Sequence, residues 1–282
     1  MNKIIVSISN VEDINLYKNA DAYIVSNASF CVKYPSSMSV NDIKNSITLA
    51  HSLNKEVILN INKVFLNDEL KDLEEFIDSF KDLDGYMVAD LGVYNILKRK
   101  GLENKVIYNP ETLIVNYFDM NFCFKLNMKS VVLSKEMTLD NIIKSIEHAK
   151  KDVIVYSFGF YHMFYSRRKL VKNYFDEIKE SNKHEKEHLL LKEATRENKY
   201  HIYQDDNGTL ITNSDIFCNI NYLDEIKADY LIDSYDLDKN YVNDVINAYR
   251  RRINGEYVDI NEIQHEKYSF TEGFLFRKIG AR

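Results

Sequence analysis

Eight short runs rich in β-branched and aromatic residues, at 3–8, 22–26, 57–62, 85–89, 106–108, 130–133, 153–158 and 230–233, punctuate this chain. Amphipathic stretches separate most of them. In 39–53 the apolar positions Val40, Ile43, Ile47, Ala50 and Leu53 recur at three-and-four spacing, with Asp42 in the first turn, as a helix requires. In 67–80 the stripe is Leu70, Leu73, Phe76, Ile77 and Phe80. Further helices are predicted at 11–19, 93–99, 117–126, 139–150 and 240–254. Parallel strands need such crossovers, so the alternation predicts an α/β fold, a TIM-barrel-like (β/α)8. A doubly wound open sheet gives the same local pattern and stays open at this point.

The rhythm breaks once. After 153–158 about seventy residues pass before the next barrel strand, and repeated βα units alone do not explain them. Within them lie β-like runs at 189–192, 200–203 and 209–212, and an Asp-Asn-Gly turn at 205–208 joins the last two. Such a turn between β-like runs signals a hairpin. The chain therefore divides into a barrel over 1–254 with an antiparallel hairpin insertion after strand 7, at about 180–224, and a tail over 255–282 that packs back on it. The charged stretch 182–187 has no periodicity and reads as a mobile loop.

Composition narrows the class. Among 282 residues, 45% apolar, no run approaches the roughly 18 apolar residues of a membrane helix, so no membrane partner is expected. The start, 1–9, reads as a strand rather than a cleavable leader. Cys31, Cys123 and Cys218 show no CxxC spacing, which excludes a disulfide framework and an obvious zinc site. Both features lead to an expectation of cytoplasmic residence. A net charge of −6 argues against a chain that wraps nucleic acid unaided. GxGxxG, Walker and HExxH patterns are missing, and no metal ligand set is expected.

Barrel enzymes draw their chemistry from the ends of strands. Those ends offer Ser7, Asn10, Ser26, Asn27, Asn60, Asn62, Asp90, Asn109, Glu111, Ser134 and Glu136, then the segment 159–168. Amides orient but do not transfer protons at neutral pH, so Asp90 and Glu136 are the stronger candidates. Each can equally open the helix that follows. The segment 159–172 couples Phe160, Tyr161, Phe164 and Tyr165 to Arg167, Arg168, Lys169 and Lys172, with His162 among them. Guanidinium groups suit carboxylates and phosphates, and aromatic faces suit rings or bases. This segment is expected to line the largest polar cavity, with Arg168 directed into it. An ordinary amphipathic helix start with a solvated basic face is the competing reading.

The order of Asn62, Asp90-Leu-Gly, Leu133-Ser-Lys-Glu136, 159–168, Leu191-Lys-Glu193, 200–208, 213–223 and Thr271-Glu-Gly-Phe-Leu resembles the collagenase-like peptidase U32 family nearly end to end. The resemblance implies a TIM-barrel-like fold with an insertion after the seventh strand. Within that frame Asp90, Glu136 and Arg168 are the expected catalytic residues, and Asn62, Tyr161, His162, Arg167, Arg168 and Glu193 the expected substrate-binding ones. Better understood members look like oxygen-independent hydroxylation factors acting on tRNA wobble uridine, ribosomal RNA or ubiquinone. Several hold an iron–sulfur cluster on four cysteines, two of them in a pattern like HGxLCxxxSGRC. Aligned through Ser166 and Arg168, those two positions are His162 and Lys169 here, and only Cys218 matches a ligand. A cluster needs several thiolates, so none is expected in this chain. The cysteine-poor form, with Tyr-Ser-Arg-Arg and Asn109-Pro-Glu-Thr112, looks most like the shorter subunit of the Gram-positive tRNA 5-hydroxyuridine hydroxylation pair. That likeness implies prephenate as co-substrate, tRNA as substrate and a longer cysteine-bearing U32 paralog as partner. Self-association is compatible with it. The alternatives are a peptidase, as the family name states, and a non-catalytic scaffold for the cluster-bearing paralog.

Overall fold

A computed structural model describes residues 2–32, 38–180, 188–195 and 199–277. The stretch 182–187 lies outside them. Seven parallel strands follow one another around a sheet: β1 (Ile4–Ser7), β2 (Ala22–Ser26), β3 (Glu56–Ile61), β4 (Gly85–Val88), β5 (Val106–Tyr108), β6 (Ser130–Val131) and β7 (Ile154–Ser166). The helices between them are α1 (Asp13–Leu16), α2 (Val40–Ser52), α3 (Leu70–Asp78), α4 (Leu91–Arg99), α5 (Tyr117–Lys125) and α6 (Leu139–Glu147). After β7 come α7 (Leu170–Glu177), β8 (Leu189–Lys192), β9 (Lys199–Asp205) and β10 (Gly208–Cys218). The chain then returns to the barrel as β11 (Asp229–Ile232) and α8 (Lys239–Ile253).

Closure separates a barrel from an open sheet. On one side β11 lies between β7 and β1, with Ile232 opposite Phe158 and Ile4 opposite Tyr230. On the other, a parallel bridge joins Val132 to Ile154, and the Leu133 N–H donates to the Ile154 carbonyl at 2.9 Å. Eight parallel strands therefore run round a closed ring, β11 being the eighth, and the open-sheet alternative is removed. The strands are short and buried almost throughout because helices cover the outside while side chains fill the interior. No described helix is long and apolar enough to cross a membrane.

Charged residues tie the N-terminal end of the barrel. Glu56 pairs with Lys3 and, at 2.8 Å, with Lys129, while Asp21 pairs with Arg250 and accepts from the Ile4 N–H at 2.8 Å. At this end of a barrel such residues serve stability.

The competing reading of the segment after Phe158, a helix start, is removed. β7 leaves the barrel and continues to Ser166, pairing antiparallel with β10 from Phe158 opposite Cys218 to Ser166 opposite Thr209. Dense aromatic side chains favour a pleated surface, and helix begins only at Leu170. The hairpin is as expected, with β9 and β10 joined across Asp205 opposite Gly208. The C-terminal segment adds β12 (Phe270–Thr271), parallel to β10, and buries Leu275, whose carbonyl accepts from the Leu139 N–H at 2.9 Å.

Candidate functional site

Where β5, β6, β7 and β11 end, four ionisable groups converge on one another. Lys135, just past β6, donates to Glu111 Oε2 at 2.5 Å and to the carbonyl of His162 at 2.7 Å, with its side chain only 6% exposed. The His162 ring lies between two carboxylates: Nδ1 is 3.6 Å from Glu111 Oε1 and Nε2 is 3.4 Å from Asp233 Oδ2. Asp233 is fully enclosed, and its Oδ1 accepts from Ser7 Oγ at 3.2 Å and from the Tyr235 N–H at 3.1 Å. The Ser7 hydroxyl in turn accepts from the Ser234 N–H, closing β1 against β11. Buried charges persist only when paired and hydrogen-bonded, and here carboxylate, ammonium, imidazole and carboxylate alternate. An imidazole held between two carboxylates is suited to keeping or passing a proton.

Aromatic side chains wall this network. Tyr161 stacks on Phe217 at 4.7 Å, and the Lys135 ammonium lies 5.6 Å from the centre of the Tyr161 ring. Burial first, then the nearby Glu136 carboxylate, raises the Tyr161 phenol well above its ordinary pKa, so it stays protonated. Tyr161 also lines a cavity of about 390 Å³ with Asn213, Asp215, Phe274 and Arg277. A second cavity, about 220 Å³, opens on the other side of the extension, between Tyr165, His188, Tyr203, Gln204 and Tyr235.

The residues singled out from sequence fall into three places. His162 and Tyr161 belong to the network, with the exposed Glu136 beside Tyr161. Asn62 is buried near the start of the neighbouring loop, accepting from the Val32 N–H at 3.0 Å. Asp90 caps α4, accepting from the Gly92 N–H at 2.6 Å, and Glu193 is half-buried just past β8. Arg168 is exposed, has no ion pair or hydrogen bond from its side chain among the described residues, and lines neither cavity. Arg167 is already held: its guanidinium makes a two-pronged contact with Glu69 at 2.8 and 3.0 Å and donates to the Val64 carbonyl. Glu111, Lys135 and Asp233 were passed over as principal candidates. The available signal was their position at the ends of three strands, beside Asn109-Pro and Ser134 and at the close of 230–233.

The Glu69 carboxyl is driven from its ordinary value of 4.5 down to about 2, its burial being outweighed by hydrogen bonds from Arg167, the Leu66 N–H and Lys63. A carboxyl lowered on folding adds stability above its unfolded pKa and loses it as pH falls toward the folded one. Arg167→Ala should therefore destabilise the protein at pH 7, and the gap from wild type should shrink as pH falls from about 4.5 toward about 2. Urea midpoints of both proteins at pH 7 and near pH 3.5 read this directly. A gap that is constant with pH would mean that Glu69 does not feel Arg167.

The donors for an iron–sulfur cluster do not fit. Cys31 is buried and accepts from the Asn60 amide at 3.1 Å; Cys123 is buried on α5. Cys218 faces the Tyr249 hydroxyl at 3.7 Å, and burial raises its thiol to about 11. Its strand partner is Phe158, four residues and thus roughly 13 Å along β7 from His162. Thiolates must converge to hold iron, and no group of potential metal ligands among the described residues contains a cysteine.

The sequence model of peptidase family U32 matches residues 10–278. The chain belongs to this family. Its sequence is 26% identical over 264 residues to the tRNA hydroxylation protein P2 of Bacillus subtilis, covering 90% of this chain and 85% of that protein. The tRNA hydroxylation protein P of Helicobacter pylori is 27% identical over 123 residues, 42% of this chain and 29% of that longer protein. The solved structure of the U32 peptidase Mk0906 superposes with a TM-score of 0.47 at 11% identity, over 57% of this chain and 70% of that one.

Proposed function

We propose that this U32 chain is a subunit of an oxygen-independent tRNA hydroxylation system that acts on wobble uridine, with prephenate as co-substrate. The observation that carries this reading is the nearly full-length likeness to a protein named for tRNA hydroxylation. The cysteines that could hold a cluster are dispersed, so redox chemistry falls to a longer, cysteine-bearing U32 paralog. Leu113, Val115, Phe118 and Phe122 lie exposed along one stretch of the β5–α5 region, and an apolar surface of that kind suits a protein partner. The net charge of −6 is consistent with shared rather than solitary tRNA binding.

Within this reading Arg168 grips a carboxylate or phosphate at the rim, Tyr161 packs a ring or base, and Asp90, Glu136, Asn62 and Glu193 position polar groups around the barrel mouth. His162, between Glu111 and Asp233, takes part in substrate binding. Arg167 acts in substrate binding only by exchanging Glu69 for a phosphate.

Deleting the gene and measuring hydroxyuridine in bulk tRNA by mass spectrometry tests the assignment; unchanged levels would sink it. Complementation then tests the site. Lys cannot reproduce a guanidinium fork, so Arg168→Lys should cost about 1.5–3 kcal/mol, a roughly ten- to hundredfold loss. Arg167→Lys should cost less, because a point charge serves a solvated backbone phosphate. A silent Arg168→Lys at normal protein level would make this residue a surface charge.

A further inference from the structure

We infer that the insertion and the barrel together form a divalent transition-metal site from His188, His201 and Asp236, a set that the cysteine-based chemistry of the cluster-bearing relatives does not include. His188 opens the hairpin region just before β8, His201 lies on β9, and Asp236 follows β11. Distant stretches of chain thus bring their ligand atoms within 4.8 Å of one another. Nε2 of His188 and Nδ1 of His201 are 2.7 Å apart with ring planes within 7°, so the two nitrogens face each other across one shared proton. A proton shared by two imidazoles marks the position a cation can take.

Two further features favour a cation there. Asp236 is held by the Tyr203 hydroxyl, which donates to Oδ2 at 2.6 Å, the kind of outer contact that orients a ligating carboxylate. Tyr203 also lies parallel to the His188 ring at 4.7 Å, which fixes that imidazole from the side. Asp236 adopts φ 58°, a left-handed conformation that aspartate tolerates better than most residues.

The chemistry of the donors selects the ion. Two imidazoles and one carboxylate suit zinc or ferrous iron, whereas magnesium and calcium prefer all-oxygen shells. Two nitrogens on a tetrahedral zinc lie roughly 3.3 Å apart, so the pair must open by at least about 0.6 Å and turn toward a common point beside the line that joins them. His188 is exposed at the edge of the sheet. His188 and Tyr203 also line the cavity of about 220 Å³, so a metal held by three protein ligands would keep an open position facing it. Tyr235 connects the two regions, its ring 5.1 Å from Tyr203 and 6.4 Å from His162. A metal here would therefore staple the hairpin over the mouth of the barrel.

The test is titration of chelator-treated full-length protein with Zn2+ or Co2+, followed by calorimetry and by the visible absorption of low-symmetry Co2+. One equivalent should bind, and millimolar Mg2+ should not displace it. His201→Ala and Asp236→Asn should abolish binding, with folding checked by circular dichroism. Tyr203→Phe, which keeps the ring and removes only the donor to Asp236, should weaken binding about ten- to hundredfold. His148→Asn, at a histidine at the end of α6 stacked on Tyr117, should leave it unchanged. No stoichiometric binding, or binding that survives both His201→Ala and Asp236→Asn, would overturn the site.

Discussion

Replacing Lys135 by Met is expected to cost about 3–5 kcal/mol of stability, the range seen when one partner of a buried ion pair is removed. The thioether fills much the same volume, so packing is largely preserved and the loss is electrostatic. Glu111, whose side chain is 16% exposed, loses the ammonium that donates to it, and the carbonyl of His162 loses its donor. Urea unfolding at pH 7 measures the effect. The double variant Lys135→Met/Glu111→Gln should recover a large part of it, because it removes the stranded charge as well as its partner. In complementation of a deletion strain the single variant should abolish tRNA hydroxylation at temperatures where the protein remains folded. A loss below about 1 kcal/mol, the value of a solvated surface pair, would show that water reaches Lys135 and that the four-group network is not closed.

That network also shows where sequence reading stops. The barrel was legible because parallel strands need crossovers and helices need stripes. Val40, Ile43, Ile47 and Ala50 declare α2, and the Asp-Asn-Gly turn declares the β9–β10 hairpin. The run 159–166 was open to a helix start because its aromatics, with the basic residues that follow it, fit an amphipathic helix. The partner that decides it, β10, lies some fifty residues downstream in sequence, and local pattern cannot see such pairing. The site was legible only in part for a related reason. Tyr161 and His162 stood out within one dense segment, whereas Glu111, Lys135 and Asp233 come singly from three other strand ends and acquire meaning only when the barrel closes. Lys135 is the sharpest case. Its neighbour in sequence, Glu136, is exposed, yet Lys135 turns inward to Glu111. The same holds for His188, His201 and Asp236, whose separations match no metal spacing and which only the folded insertion gathers.

Gly159→Ala should be among the most damaging single-atom additions to this chain. Gly159 is where β7 leaves the parallel barrel and begins its antiparallel run with β10, opposite Phe217. The backbone there has φ +129°, and a Cβ would stand 2.6 Å from the Tyr156 hydroxyl, 2.8 Å from the Asp233 carbonyl and 2.9 Å from Asp233 Cβ. None of these neighbours can yield cheaply. Tyr156 is buried and donates to the Phe160 carbonyl at 2.8 Å, while the Asp233 N–H is bonded to the Phe158 carbonyl at 2.8 Å. Strain at such a backbone conformation costs roughly 1–3 kcal/mol and overpacking a further 1–3, so a loss of about 2–6 kcal/mol is expected. Gly101→Ala separates the two terms. Gly101 also has a positive φ, +72°, but nothing lies within 4 Å of its missing Cβ, so this variant should show only the left-handed penalty of about 1–2 kcal/mol. The excess at Gly159 reports the close approach of β7 to Asp233. The same displacement should pull Asp233 from His162, now 3.4 Å away, so residual folded Gly159→Ala protein should also fail to complement. If the two alanine variants unfold at the same urea concentration, the tight crossing at the end of β7 is relaxed in solution, and Asp233 is not held against His162 by it.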